Sequence, residues 1–563
     1  MPLETPVRVV RALANRGYNA DREAVTLIAE TADPAETIDR VVEAAPDGAL
    51  RLTSDHVRAA LDAGTGSDGT TSRRERTGGT TDVTDGTTDA TRTSADATRT
   101  PADATRTSAD TTRTSADGPR DAAGSDPEDP PVSSGTLTRN SVDDSGGSPV
   151  ETKGSRTVGD LSLRSVEITG DITGQSTGTG EYEDFVAVFR DRYERLSKQL
   201  RGRVNHRPAG TIGDMPGGSE VATIGLVNDV RSTRNGHWLV ELEDTTGTFP
   251  CLFTKGRDIS ELVDELLLDE CVAVEGRLSD DSGIIFADTL YFPDVPRTYR
   301  PSTADRHVQA ALISDVHVGS QEFVGEAWSR FADWLHTAEA DPVEYLLIAG
   351  DMVEGVGVYP NQDEELDIVD IYEQYETFSE RLKEVPGDLE IVMIPGNHDA
   401  VRLAEPQPAF DEELRGIMSA HDARITGNPS TVTIEGVSVL MYHGVSLDEV
   451  IAELPAEKAN CDEPHRAMYQ LLKKRHVAPQ YGGHMRLAPE ERDYLVIEDV
   501  PDVFHTGHVH KIGWGKYHNV LAVNSGCWQA QTAFQKSVNI DPDVAYAPIL
   551  DLDTLDMTVR KFV

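Results

Sequence analysis

Aromatic residues are missing from a long stretch of this 563-residue chain, with none between Tyr18 and Tyr182. Where large aliphatics are also few, as beyond residue 62, such a segment cannot bury enough surface to offset the entropy of ordering. Cysteine is also scarce. The four present, Cys251, Cys271, Cys461 and Cys527, form no C-x-x-C pair, which argues against a zinc knuckle or a disulfide scaffold. No apolar run approaches the roughly 18 residues of a membrane span, and the N-terminus carries no signal-like apolar stretch, so a soluble cytoplasmic protein without a membrane partner is expected. Lysine supplies 11 of the 52 basic residues, against 97 acidic ones, for a net charge of -45. The acidic excess runs through the parts that look folded and reads as a solubilising surface. It gives no support for nucleic-acid binding, which would have to rest on local Arg and His residues.

The chain divides by composition. Residues 1–62 read as a small helical module, in which Val7, Val10, Leu13 and Ala14 share a face. Further helices open near Asp21 and Pro34, and Leu52 to Val57 fits a fourth helix cap. A module this small is marginal alone, so it either docks on a partner or rides as a tethered head. Residues 63–180 read as a disordered low-complexity linker. Between Ala90 and Asp117 it holds four near-copies of a seven-residue unit, ATRTSAD, with no large apolar residue to form a coiled-coil seam. Residues 181–219 form a helix and connector, where Phe185, Phe189, Tyr193 and Leu196 recur at helical spacing. Residues 220–297 carry five strand patterns with a helical insert at 259–268 between the third and fourth, the plan of an OB-fold β-barrel. OB folds bind single strands through stacked aromatics. The aromatic and basic supply here is thin, so a structural or subunit-docking role is expected, and Trp238 and Phe253 fit a core as well as a platform. Residues 306–563 alternate short apolar runs with helices, such as 326–339 and 370–385, which predicts a two-sheet core with helices outside.

Five short motifs fall in this last segment: Asp315-Val316-His317, Gly350-Asp351, Gly396-Asn397-His398-Asp399, His443-Gly444 and Gly507-His508-Val509-His510. Four follow apolar runs of strand length, so their side chains sit on loops at strand ends, where they can converge. Carboxylate, imidazole and amide ligands suit borderline divalent ions. Two such ions clamp the attacking and leaving oxygens of a phosphate. A local basic stretch, Lys473-Lys474-Arg475-His476 through His484-Met485-Arg486, either guides a DNA backbone or is a solvated or subunit-contact loop. His505 reads as structural. Tyr359 and Asn361 lie close enough in sequence to Asp351 to shape its pocket.

The five motifs resemble the calcineurin-like metallophosphoesterase superfamily, including its DNA-repair nucleases, and within it the small subunits of archaeal family D DNA polymerases. The phrases 311–320, 349–355 and 505–510, the loop 358–366 and the barrel ahead of the phosphoesterase carry that narrower similarity; the scarcity of lysine resembles proteins of salt-loving archaea. The resemblance implies a multidomain protein: a helical module on a linker, an OB-fold barrel, then a calcineurin-like two-sheet α/β sandwich. It implies two divalent ions, manganese first, with iron, zinc or magnesium as alternatives. Asp315, His317 and His510 would hold one ion and Asn397, His443 and His508 the other, with Asp351 between them. His398 would contact the phosphate and assist the leaving group, and Asp399 would orient His398. This sequence keeps the whole ligand pattern. The implied activity is a 3'-to-5' exonuclease within a two-subunit replicative DNA polymerase. A large catalytic subunit, single-stranded or primer–template DNA and a sliding clamp are the implied partners. A repair-type nuclease and a non-catalytic scaffold are the rival readings.

Overall fold

The computed structural model describes residues 155–563 except 176, 177, 360, 361, 483, 484 and 538, together with residues 9, 13, 19–20, 22–29, 31, 34–44 and 51–64. The repeats of 90–117, most of the first expected helix, Asn361 and His484 lie outside the described residues. Nearer the N-terminus, helices Arg22–Ala29, Pro34–Ala44 and Ser54–Gly64 enclose a small core of Val25, Ile28, Ile38, Val41 and Val57.

The large domain is built on two six-stranded sheets. One runs in the order Arg424–Ile425, Glu390–Ile394, Val343–Ala349, Gln309–Ile313, Tyr546–Asp551, Asp556–Lys561, with its first four strands parallel. The other runs Ile512–Tyr517, Val520–Ser525, Val503–Thr506, Val437–Met441, Ser430–Ile434, Val166–Thr169, parallel at its centre. Ala310, Leu312, Tyr345 and Leu347 face Val432, Val439, Met441 and Val523 across the gap. The alternate residues Ala311, Ile313, Leu346 and Ile348 turn outward onto Trp328, Phe331, Tyr375 and Phe378 of the covering helices. Both faces of these strands are therefore buried, which is why they read as continuous apolar runs and not as alternation. Helix Pro464–Lys474 covers the outer face of the second sheet, through Met468, Leu471 and Leu472.

Strand Val166–Thr169 corrects the expected linker, which was carried to residue 180. It pairs with Ser430–Ile434 as the edge of the second sheet. Two arginines pin the chain around it. Arg156 reaches Asp388 and donates to the carbonyls of Ala340 and Val343 at 2.8 Å each, while Arg164 bridges Glu344 and Asp388. Order here comes from a partner strand and buried ion pairs that lie far away in sequence, so local composition gave no sign of it.

The barrel closes in the order Glu220–Ser232, Trp238–Asp244, Gly247–Phe253, Ile285–Tyr291, Cys271–Leu278, with one parallel seam. In place of the expected helical insert stand two 3-10 turns, Asp258–Ser260 and Leu262–Glu265. Phe253 is buried in the barrel core and Trp238 packs against it, so neither forms an open platform. Helix Tyr182–Arg201 lies along the barrel, with Leu196 and Leu200 against Ile224 and Ala273.

For the head of the basic stretch, Lys473 to His476, both readings are corrected, because it lies in the joint between barrel and sandwich. Lys474 is fully buried, with its ammonium 2.7 Å from the Glu265 carbonyl and 3.2 Å from the Glu270 carboxylate. Arg475 donates to the Ile497 carbonyl, and His476 sits 2.9 Å from Asp493. Asp493 also receives Arg192 at 2.6 Å, from the helix beside the barrel. These side chains serve the fold and do not face a DNA backbone.

Candidate metal centre

The five motifs meet at one edge of the sandwich. Asp315 and His317 follow strand Gln309–Ile313, Asp351 follows Val343–Ala349, and Asn397 and His398 follow Glu390–Ile394. His443 follows Val437–Met441, and His508 and His510 follow Val503–Thr506. All are the C-terminal ends of parallel neighbours, three in one sheet and two in the other. The loops turn sharply there. Asp315, His317, Asp351, His508 and His510 have φ of 53°, 55°, 52°, 71° and 53°. Left-handed conformations cost of order 1–3 kcal/mol each in a non-glycine residue and cluster where function demands an orientation. Two glycines make room for the carboxylates. A Cβ at Gly396 would lie 2.2 Å from Asp351 Oδ1, and one at Gly507 would lie 2.3 Å from Asp315 Oδ2.

The ligand atoms form overlapping groups. Those of Asp315, His317 and His510 lie within 4.8 Å of one another, as do those of Asp351, His443 and His508, and those of His317, Asp351 and His398. His317 Nε2 and His510 Nε2 face each other at 3.0 Å, with Asp315 Oδ1 3.5 Å from the latter. On the other side His443 Nε2 is 3.2 Å from Asp351 Oδ2 and 3.0 Å from Asn397 Oδ1. Asp351 therefore stands between the two groups.

Each imidazole has one nitrogen engaged away from the centre. His443 Nδ1 donates to the Ala349 carbonyl at 2.8 Å, and His317 Nδ1 lies 2.9 Å from Glu354 Oε2. His508 Nε2 meets Asp448 at 3.2 Å, and His510 Nδ1 meets the Gln535 amide at 3.0 Å. The other nitrogen of each faces the centre. At His443, His317 and His508 the outer partner is an oxygen, the arrangement that fixes tautomer and ring orientation in metal-binding histidines, whereas at His510 it is the amide nitrogen of Gln535. This mixed nitrogen and oxygen donor set fits borderline divalent ions.

The centre is strongly charged. Burial alone would raise the Asp351 carboxyl, but the imidazoles of His443 and His398 outweigh it and hold that group well below the usual range. Burial likewise opposes ionisation of Glu354, and His317 and His398 overcome it, bringing that carboxyl down to about 2.

His398 is half-buried at the rim. Its main-chain N–H donates to Asp351 Oδ1 and its Nδ1 to the Glu354 carbonyl, both at 2.8 Å. Nε2 is thereby left for a substrate. Asp399 departs from its expected role of orienting His398. Its carboxylate turns inward, accepting from Gly396 N–H at 2.8 Å and from the Tyr375 hydroxyl at 3.0 Å. Burial, reinforced by Asp351, raises that carboxyl to about 7. Asp399 positions the Gly396 turn, and the Glu354 carbonyl positions His398. His505 belongs to none of the groups and lies 3.1 Å from Ser525 Oγ.

Glu354 is the residue that motif reading passed over, although it stands three positions after Asp351. It is buried, pairs with His317, and receives Gln529 at 2.6 Å and the Tyr359 hydroxyl at 3.1 Å. Glu354→Gln is expected to cost roughly 10- to 100-fold in ion affinity or activity, the usual penalty for losing an outer partner of a ligand. Ion titration followed by calorimetry checks it, and unchanged affinity and rate would remove Glu354 from the centre.

Known proteins share this sequence. The family model for the B subunit of DNA polymerases alpha and epsilon matches residues 310–511. The DNA polymerase II small subunit of Halobacterium salinarum is 63% identical over 563 residues, covering 100% of both chains. The chain belongs to the DNA polymerase II small-subunit family. That of Archaeoglobus fulgidus is 45% identical over 385 residues, 67% of this chain and 77% of its own. That of Pyrococcus furiosus is 41% identical over 386 residues, 66% of this chain and 62% of its own. Within this family member, no helix among the described residues is long and apolar enough to cross a membrane.

Proposed function

We propose that this chain is the nuclease subunit of a two-subunit DNA polymerase, removing nucleotides from a DNA 3' end at a centre of two divalent ions. The observation that carries the reading is Asp351, placed between two histidine groups, with the open nitrogen of His398 at the rim. Asp315, His317 and His510 would hold one ion, and Asn397, His443 and His508 the other. Manganese is the first candidate for both. The ions supply charge neutralisation at the phosphate and an activated water.

The chain's own residues do the rest. Asp351 takes its place through the main-chain N–H of His398, so ligand and acid group are set in one register. The Glu354 carbonyl holds the proton on His398 Nδ1 and directs Nε2 outward. From there a protonated His398 can donate to a phosphate oxygen and then to the departing 3' oxygen. Synthesis would fall to a large catalytic subunit, since the two larger bodies among the described residues are a barrel and a phosphoesterase. Primer–template DNA is the substrate in that complex, and the N-terminal helices would meet a sliding clamp or the large subunit.

End-labelled single-stranded and mismatched DNA, incubated with manganese and the large subunit in molar salt, tests this. Shortening from the 3' end, with mononucleotide products, is expected. Endonucleolytic products or 5' shortening would favour a repair-type nuclease. Uncut DNA with ions bound would leave the chain as a scaffold.

A further inference from the structure

Beside the metal centre two aromatic rings stand stacked at the surface. Tyr359 and Phe534 have ring centroids 5.4 Å apart and planes 25° apart, and the Tyr359 centroid is 6.3 Å from that of His398. Phe534 leaves 48% of its surface to solvent. An apolar ring so exposed contributes little to the core, and nothing in the described fold requires an aromatic there.

Both rings are nevertheless held in place by the centre itself. The Tyr359 hydroxyl donates to Glu354, the carboxylate that pairs with His317. Phe534 precedes Gln535, whose amide meets His510 Nδ1 and whose side chain also accepts from Thr532 N–H. The platform and the ligands thus share supports, and their spacing is fixed. A nucleobase lies one sugar away from its phosphate, and the Tyr359 ring lies 6.3 Å from the ring of His398.

We propose that Tyr359 and Phe534 form a stacking platform for the unpaired 3'-terminal nucleobase of the strand being cut. The inference rests on the hydrolytic reading above. Every base has a π-face, so stacking tolerates any sequence. A paired terminal base must leave its partner before it can reach the rings. The platform thereby favours frayed or mismatched ends over paired ones, without reading base identity.

The test uses the full chain with its large subunit and two probes. The first is a single strand ending in 2-aminopurine behind a phosphorothioate link, whose fluorescence falls when the base stacks. Quenching is expected with the wild type. It should be lost in Phe534→Ala, at concentrations where anisotropy reports the strand bound, and restored in Phe534→Trp. The second probe compares a normal 3' end with an abasic one. Phe534→Ala should raise KM for the normal end by roughly 5- to 150-fold, the range of one base–aromatic stack, and leave KM for the abasic end unchanged. A bound strand that is not quenched overturns the platform. So does an equal rise in KM for both ends, which would mean that the substitution merely disturbs Gln535. Quenching without any cleavage by the wild type would instead sink the hydrolytic reading and leave the platform standing.

Discussion

His398→Ala is expected to lower the rate of 3'-end hydrolysis by roughly 10²- to 10⁴-fold, the contribution of a positioned acid–base group. Ion content should stay at the wild-type level. The distinction comes from geometry. His398 Nδ1 is committed to the Glu354 carbonyl, and its main-chain N–H, which an alanine retains, is what touches Asp351. Removing the ring therefore takes away a proton donor at the rim and leaves the carboxylate's support in place. Single-turnover rates on a single strand, measured beside metal analysis of the same sample, check both halves. A variant that loses ions along with activity would make His398 a ligand, in the group it forms with His317 and Asp351. A variant with full activity would move the catalytic site to another subunit.

Arg192→Ala is expected to destabilise the joint between barrel and sandwich by about 3–5 kcal/mol, the cost of leaving one member of a buried ion pair without the other. Arg192 has no exposed surface. Its guanidinium donates to Asp493 at 2.6 Å and to the carbonyls of Pro479 and Asp269. A lysine offers one ammonium and cannot span these three acceptors, so Arg192→Lys should recover little. The penalty should also depend on pH. Burial, helped by Arg192, depresses His476 from 6.5 to about 4. Between those values the unfolded chain binds the extra proton, so wild-type stability falls as pH falls through that window. Without Arg192 the Asp493 carboxylate draws the proton more strongly onto His476 in the folded state, so the variant loses less stability than the wild type as pH falls. The loss should thus be larger at pH 8 than at pH 5. Thermal unfolding at the two pH values, with hydrogen exchange followed across residues 476–497, reads both effects. Equal losses at the two values would mean that the arginine acts by packing alone.

The sequence disclosed the centre of this molecule better than its margins. Four of the five motifs followed apolar runs whose two buried faces make them conspicuous. The fifth follows Val503–Thr506, a four-residue strand that ends in His505 and Thr506 and is too short and too polar to announce itself. Barrel strands such as Gly247–Phe253 and Cys271–Leu278 were legible through β-rich patterning between turns. What could not be read depended on partners remote in sequence. Strand Val166–Thr169 exists because Ser430–Ile434 offers it an edge. The Lys473–His476 run looked like a surface because its counter-ions, Glu265, Glu270 and Asp493, come from a different domain or a later loop. Asp399 was misplaced for a similar reason, since adjacency to His398 says nothing about which way a side chain turns.

The joint between barrel and sandwich has one further consequence, for ionic strength. At molar salt the Debye length falls to about 3 Å, and attractions between solvent-exposed charges are largely extinguished. Lys474 with Glu270 and Arg192 with Asp493 are sealed from solvent, at side-chain exposures of 0% with 0% and 0% with 1%. Mobile ions cannot enter between them, so the two bodies of an otherwise intensely acidic molecule keep their mutual orientation while the brine around them changes.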